Sequence, residues 1–506
     1  MKKNNAFRRA AALLAALSIT VSLAAPAFAA TSRTYYIDQG DITITKDEKG
    51  QTVKQGDSAA EKIGDDDEII ITTHKKAITS LESDLEGPAA EDSGFGPVVE
   101  DNYQPAQPED AEEPKDADQP ESTEEPKDAD QPEGTDRPEN AEEPKAADQP
   151  EDAEEQESAG QQPQPQQAAP ADAAPAAPAP ANGFCKNIIT VINNAATALK
   201  LTLKDVKIDV SDTGKNTGIP ETSVKGKAAL SVQGSGDVEI ELDGENELKS
   251  GFNRAGLEKT DFTFIGTPST GMLTLKDDNQ KAGSLKATGG QFGAGIGGVE
   301  NGNGKNITIN GGTVEATGGD FGAGIGGGGD GRNSDSNGKN ITITGSTVTA
   351  KGGNGSAGIG GGVGGSGESI TITGSTVTAE GGNGAAGIGS GNGKNITITD
   401  STVTATGKYG GAGIGGGNGK NGEAITITGS TVTATGKYGG AGIGGGGFDG
   451  GGNGNHITIT GSTVIATSEG VGERGNRGGA GIGGGCIGNG ENIAITGSTV
   501  TATGHF

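Results

Sequence analysis

The sequence predicts an all-β protein, a parallel β-helix with three short strands per coil, and three observations carry that prediction. From Gly293 onward the blocks Ile-Thr-Ile, Thr-Val-Thr-Ala and Ala-Gly-Ile-Gly recur seven times, and a fixed repeat of this length is the mark of a solenoid. Each block alternates apolar and polar residues in steps of two, as in Ile307 and Ile309 or Val314 and Ala316, so each is a strand with one buried face. Glycine, at 96 of 506 residues, excludes long helices. Parallel strands without helical crossovers must climb by coiling.

The spacing within a coil says where insertions go. The first isoleucines of the Ile-Thr-Ile blocks are Ile307, Ile341, Ile370, Ile396, Ile425, Ile457 and Ile493, and the threonine before valine follows six residues later in every copy. From there to the isoleucine of Ala-Gly-Ile-Gly the step is twelve residues in five copies and nineteen in the sixth, and the return to the next Ile-Thr-Ile varies from eight to sixteen. Constant strands and variable turns follow. The chain resembles bacterial right-handed β-helix proteins with repeats of the form ITI...TVTAT...GAGIGGG, including carbohydrate-binding ones. The likeness covers roughly Asn187 to Phe506 and implies a right-handed coil and a surface that binds polysaccharide.

Ahead of the repeats the chain changes character more than once. Residues 1–29 read as a secretory signal peptide: Lys2, Lys3, Arg8 and Arg9, an apolar run from Ala10 to Ala25, and a cleavage site after Ala29, too short for a membrane span. An exported protein, secreted or held at the cell surface, is expected. Residues 30–81 hold strand-like runs at Tyr35–Ile37, Ile42–Ile44 and Ile69–Ile71. Residues 82–182 are acidic and proline-rich, with prolines every six residues from Pro108 to Pro150. Between Glu109 and Glu157, 22 acidic residues stand against 4 basic ones, which accounts for most of the net charge of −29. Such a tract is expected to be disordered, and the overall acidity offers nucleic acid no basic surface. Either it links a small domain to the solenoid, or it is a loop ejected between neighbouring coils, with Ile69–Thr73 beside Ile188–Ile192. The second is preferred because forty residues bury too little to fold alone. Residues 183–290 read as irregular coils and 291–506 as regular ones.

Cys185 and Cys486 lie at least seven coils apart, roughly 35 Å at the strand spacing, too far for a disulfide. The GxGxxG pattern at Gly293–Gly298 has no following helix and is a strand end. Asn306, Asn340, Asn395 and Asn492 precede the Ile-Thr-Ile strand, where an amide ladder between coils is expected. Outward threonines such as Thr342, Thr344, Thr371 and Thr373 resemble an ice-binding grid, which Asn310, Glu315, Ile465 and Ala494 interrupt; a solvated strand face explains them.

The scarce aromatic residues are the informative ones. Tyr409 and Tyr438 occupy one site in successive coils, and Phe292 and Phe321 pair likewise in two earlier coils. Aromatic faces stack on sugar rings, and Lys408 and Lys437 beside the tyrosines are placed to meet a uronate carboxylate. Asp330, Asn333, Asp335 and Asp449 sit in glycine-rich turns and are the oxygen donors available to Ca²⁺. Of the acids, Asp277 and Asp278 are the best candidates for catalysis of the lyase or hydrolase kind, though a turn explains them and no partner stands beside them in the sequence. The reading is therefore an exported, non-catalytic protein that binds polysaccharide, with an acidic, plant-type glycan as the expected ligand; an adhesin-like stalk is the alternative. The chain stops after the seventh Thr-Val-Thr-Ala-Thr without a capping element, so end-to-end self-association is a further expectation.

Overall fold

In this computed structural model each strand of the repeats pairs in parallel with its own copy one coil further on. The structure describes residues 31–74, 183–218, 223–261, 268–330, 336–448, 450–470 and 478–505. The signal-peptide segment, the acidic tract, Asn333, Asp335 and Asp449 lie outside them. The chain falls into two units, residues 1–77 with 175–506 and residues 78–174; all described residues belong to the first.

Three faces make the coil. The Ile-Thr-Ile face starts at Ser32–Tyr36 and Glu68–Thr72, passes through Leu199–Lys204 and the front of Val238–Lys249, and continues from Gly304–Asn310 to Gly490–Thr496. The Thr-Val-Thr-Ala face runs from Lys207–Asp209 through the rear of Val238–Lys249 to Thr499–Thr503. The third face is made of two-residue strands such as Ile325–Gly326 and Ile359–Gly360. Register is kept coil after coil: Ile341 faces Ile370, which faces Ile396, which faces Ile425. This is a parallel β-helix.

The N-terminal segment lies on the same ladders, with a different partner from the expected one. Ile69 faces Leu201, whereas Ile189 faces Ile42. The Ile69 and Ile189 strands sit on different faces, and only like faces stack. Antiparallel strands Gly50–Gln55 and Glu61–Ile63 extend the third face beyond Ile42–Asp47.

One coil shows what the repeat buries. Ile307, Ile309, Val314, Ala316, Ala323 and Ile325 are all between 0 and 1% exposed, and each large side chain removed from water contributes about 1.5–3 kcal/mol. The core is narrow because the third face leaves no room for more. A Cβ on Gly360, whose φ is +139°, would stand 2.1 Å from the Gly389 carbonyl of the next coil, so that position requires glycine.

Polar ladders close two of the three turns. Between the first and second faces, the Ser346 N–H donates to Ser375 Oγ at 3.2 Å, and the pattern repeats through Ser401, Ser430 and Ser462 to Ser498. Each of these hydroxyls donates to a threonine carbonyl two residues back, as Ser401 does to Thr399 at 2.6 Å. Between the third and first faces, asparagine oxygens accept from the backbone of the next coil. Asn337 N–H reaches Asn303, Asn453 reaches Asn421, and Asn489 reaches Asn453, all at 2.7–2.8 Å.

This is a different asparagine of the Asn-Gly-Lys-Asn turn from the one expected. Asn306, Asn340, Asn395 and Asn492 instead hold left-handed backbone with φ of 55–56°, a conformation asparagine tolerates better than most residues. Their column is broken by Ser369, Ala424 and His456, which share the same φ range. The expected amide bond survives at one step, Asn340 to Asn306 at 3.0 Å. The cysteines are free, Cys185 buried and Cys486 half-buried, and burial pushes the Cys185 thiol up to about 11.

The irregular coils bury charge. Arg254 donates to both oxygens of Glu258 at 2.7 and 2.9 Å. Lys259 is 1% exposed, donates to the Ser269 carbonyl at 2.9 Å, and is pushed down by burial to about 8.

Two predictions follow from these interiors. Ser401→Ala leaves the buried Ser375 N–H without an acceptor and lowers unfolding stability by about 1–3 kcal/mol in chemical denaturation. For Lys259, the unfolded chain holds the extra proton between pH 8 and the ordinary value of 10.5, so stability rises with pH across that window. Lys259→Met flattens the rise and stabilises the protein at pH 7 by up to about 3 kcal/mol, measured by denaturation at both ends of the window.

Candidate functional site

The turn from the second face to the third carries almost all of the expected binding residues. In the Gly-Lys-Tyr-Gly-Gly copies the backbone reverses at the tyrosine itself, with φ of 44° at Tyr409 and 54° at Tyr438. Left-handed backbone is costly for a bulky residue. The rings stack with centroids 4.6 Å apart and planes 19° apart, following the coil spacing of about 4.8 Å.

Phe292 and Phe321 stack in the same way at 5.4 Å, and Phe252 adds an edge-on contact to Phe292 at 5.7 Å. In the two coils between the phenylalanines and the tyrosines stand Asn354 and Asn383, whose amides bond at 3.0 Å. One edge thus runs Phe-Phe-Phe-Asn-Asn-Tyr-Tyr. Phe252 escaped the sequence reading because its coil lacks the glycine block. The spacing from Phe252 to Leu257, which equals that from Tyr409 to Ile414, was the available signal.

Phe448 also escaped it, lying in an inserted stretch of the turn between the third and first faces. Its φ is 72°, and it is 44% exposed beside Tyr409 at 52%. Tyr409, Phe448, Asn383, Gly384 and Asn418 line a cavity of about 340 Å³. The Asn418 N–H donates to the Gly384 carbonyl at 2.8 Å, yet its Oδ1 is shut from water and finds no donor among the described residues. A groove of about 310 Å³ continues along the same edge past Asn354 and Lys351 towards Asp320, and another of about 440 Å³ lies beside Phe252.

The lysines do not stand free. Lys408 is paired with Glu380 one coil away, and its ammonium holds that carboxyl below the usual range. Lys437 pairs with Glu469 at 3.2 Å. The expected uronate-facing cations are each already neutralised by the neighbouring coil.

The other candidates are dispersed. Asp330 is half-buried, and among the described residues no three His, Cys, Asp or Glu side chains gather as a metal site. Asp277 accepts from the Gly283 N–H at 3.1 Å, a turn contact. Asp278 pairs with Lys276 at 3.2 Å and gives its N–H to the buried Glu241 at 3.1 Å. Burial raises the Glu241 carboxyl. Asp278 and Glu241 line a groove of about 870 Å³ on the Ile-Thr-Ile side, where Lys200, Lys276 and Lys46 are interleaved with them.

Residues 307–329, 341–363, 370–392, 396–418, 425–447 and 457–486 match the β-helix repeat family. The class defined by fold and sequence together is therefore the parallel β-helix, and these six segments are β-helix repeats. No curated protein and no solved structure matches the chain. Among the described residues no helix is long and apolar enough to cross a membrane.

If the tyrosines served only to hold the turn, replacing one would be costly. Asparagine tolerates the left-handed backbone at position 409, so Tyr409→Asn relieves strain while losing a stacking contact of about 0.5–1.5 kcal/mol. We expect a net change within about 0.5 kcal/mol in chemical denaturation; a loss well above that assigns the tyrosine to stability.

Proposed function

We propose that this protein is exported and non-catalytic, and that it binds polysaccharide along the aromatic turn edge of its β-helix. The observation that carries this reading is the placement of Tyr409, Tyr438 and Phe448 in left-handed backbone. Backbone strain at exposed aromatic residues is retained where the surrounding fold over-determines it, and such residues cluster at ligand sites. Tyr409 and Phe448 flank a cavity that also holds an amide with an unmet acceptor, the mixture of ring faces and few polar groups that small-molecule sites use.

The edge also suits a polymer. Its grooves follow the solenoid axis coil by coil, so an extended chain meets several of them at once. Export rests on the N-terminal sequence, Lys2 to Ala29, and the calcium expectation is not needed for this reading. A second reading, an adhesin-like stalk, draws on the serine and asparagine ladders, which lock each coil to the next.

The test is retention of the full chain on insoluble cellulose and on immobilised polygalacturonate, with and without Ca²⁺. Binding that disappears in Tyr409→Ala combined with Tyr438→Ala supports the edge. A folded protein retained on neither matrix leaves the stalk.

A further inference from the structure

We infer that the edge takes an uncharged sugar, seated between Tyr409 and Phe448 and read through the amide of Asn418. The inference rests on the polysaccharide reading and narrows it to a ligand class, away from the acidic glycans that the flanking lysines suggest in the sequence.

Charge is the first argument. Along this turn, from Asp320 to Glu469, the described charged residues are Asp320, Lys351, Glu380, Lys408, Lys437 and Glu469, three of each sign. Two of the three lysines are held in ion pairs across the coil spacing, and the third, Lys351, stands in register with Glu380. A uronate carboxylate meeting Lys408 or Lys437 would have to displace Glu380 or Glu469 from its lysine, exchanging one ion pair for another while giving up its own hydration. An uncharged ring incurs no such cost.

The second argument is the unmet acceptor. A buried polar atom without a partner is rare and costs roughly 1–3 kcal/mol. Asn418 is fixed by its backbone bond to Gly384 and lines the cavity, and its Oδ1 lies so close to Gly410 that a Cβ there would stand 2.8 Å away. The last torsion of an asparagine is soft, so a modest rotation turns the oxygen towards a hydroxyl donor seated between the rings. A sugar hydroxyl supplies that donor, from a neutral sugar or a uronate alike, so the acceptor argues for a sugar and the charge arrangement for an uncharged one. The apolar faces of the same ring would lie against Tyr409 and Phe448, both largely exposed.

The experiment compares affinities of the full chain for soluble uncharged glycans (laminarin, galactomannan, hydroxyethylcellulose) and for soluble uronates (polygalacturonate, alginate), by affinity electrophoresis at low and high salt. Retardation by at least one uncharged glycan, with about tenfold weaker apparent affinity for either uronate, is the expected result, and it should change little with salt because no ion pair forms. Asn418→Leu should weaken binding about tenfold, while Lys408→Gln combined with Glu380→Gln, which removes a charge pair and leaves the rings, should leave it unchanged.

Preference for a uronate, lost in high salt or in the charge-pair variant, overturns the inference and leaves the polysaccharide reading standing. A folded chain retarded by neither class overturns both. If Asn418→Leu unfolds the protein, as judged by circular dichroism, the charge-pair variant and the salt series still decide.

Discussion

Everything in this β-helix depends on the separation of its coils, about 4.8 Å between paired strands. At that distance every residue stands beside its own copy, so a side chain that cannot tolerate its twin cannot be repeated. Isoleucine, valine and alanine tolerate it by packing, threonine by facing water, and serine by accepting at its hydroxyl from the preceding coil and giving its N–H to the hydroxyl of the next. Where the third face presses backbone against backbone only glycine fits, as the Gly360 approach to Gly389 shows. From Lys339 onward the charged residues of the first face obey the same rule by alternating sign, although Lys305 stands opposite Lys339: Lys339 lies opposite Glu368, Glu368 opposite Lys394, and Lys394 opposite Glu423.

This constraint also explains what the sequence made legible. Faces and core were readable because the alternation within Ile-Thr-Ile and Thr-Val-Thr-Ala is local, and because the six-residue step between them never changes. Ladders were less readable. The two asparagines of Asn-Gly-Lys-Asn look equivalent in one dimension, and only the backbone separates them: the first keeps ordinary dihedrals and reaches across to the next coil, while the second spends its tolerance on left-handed φ. The serine ladder was hidden for a similar reason. Ser346, Ser375 and Ser401 follow a glycine or aspartate at every turn and read as solvated turn residues, yet they are buried.

The aromatic edge was half legible. Tyr409, Tyr438, Phe292 and Phe321 were found because aromatic residues are scarce and their positions repeat. Their surroundings were not, since Phe448 comes from a different turn and an insertion without a repeat. The pairing of Lys408 with Glu380 depends on a contact 28 residues away in sequence, and aligning the copies hides it because Glu380 occurs in one copy alone. Lysines that look like free cations beside an aromatic ring in one dimension become part of a compensated column in three.

A solenoid stabilised by identical stacking has little need for variation, so departures from the repeat carry information. Some departures are conservative, as where Ser369 replaces asparagine at a left-handed position. The aromatic edge is not. Tyrosine holds left-handed backbone in two coils where other coils have asparagine in ordinary backbone, phenylalanine holds it in an adjacent turn, and an amide is left with an unfilled acceptor between them. Stacking between Tyr409 and Tyr438 returns part of that cost, but Phe448 has no like neighbour in the next coil and Asn418 has no donor among the described residues. Stability alone would favour asparagine or glycine at each of these places, which the same chain uses freely elsewhere. On the function proposed above, a ligand that covers both rings and donates to the amide would offset the strain in the bound state, which would tie the least regular part of the repeat to binding rather than to folding.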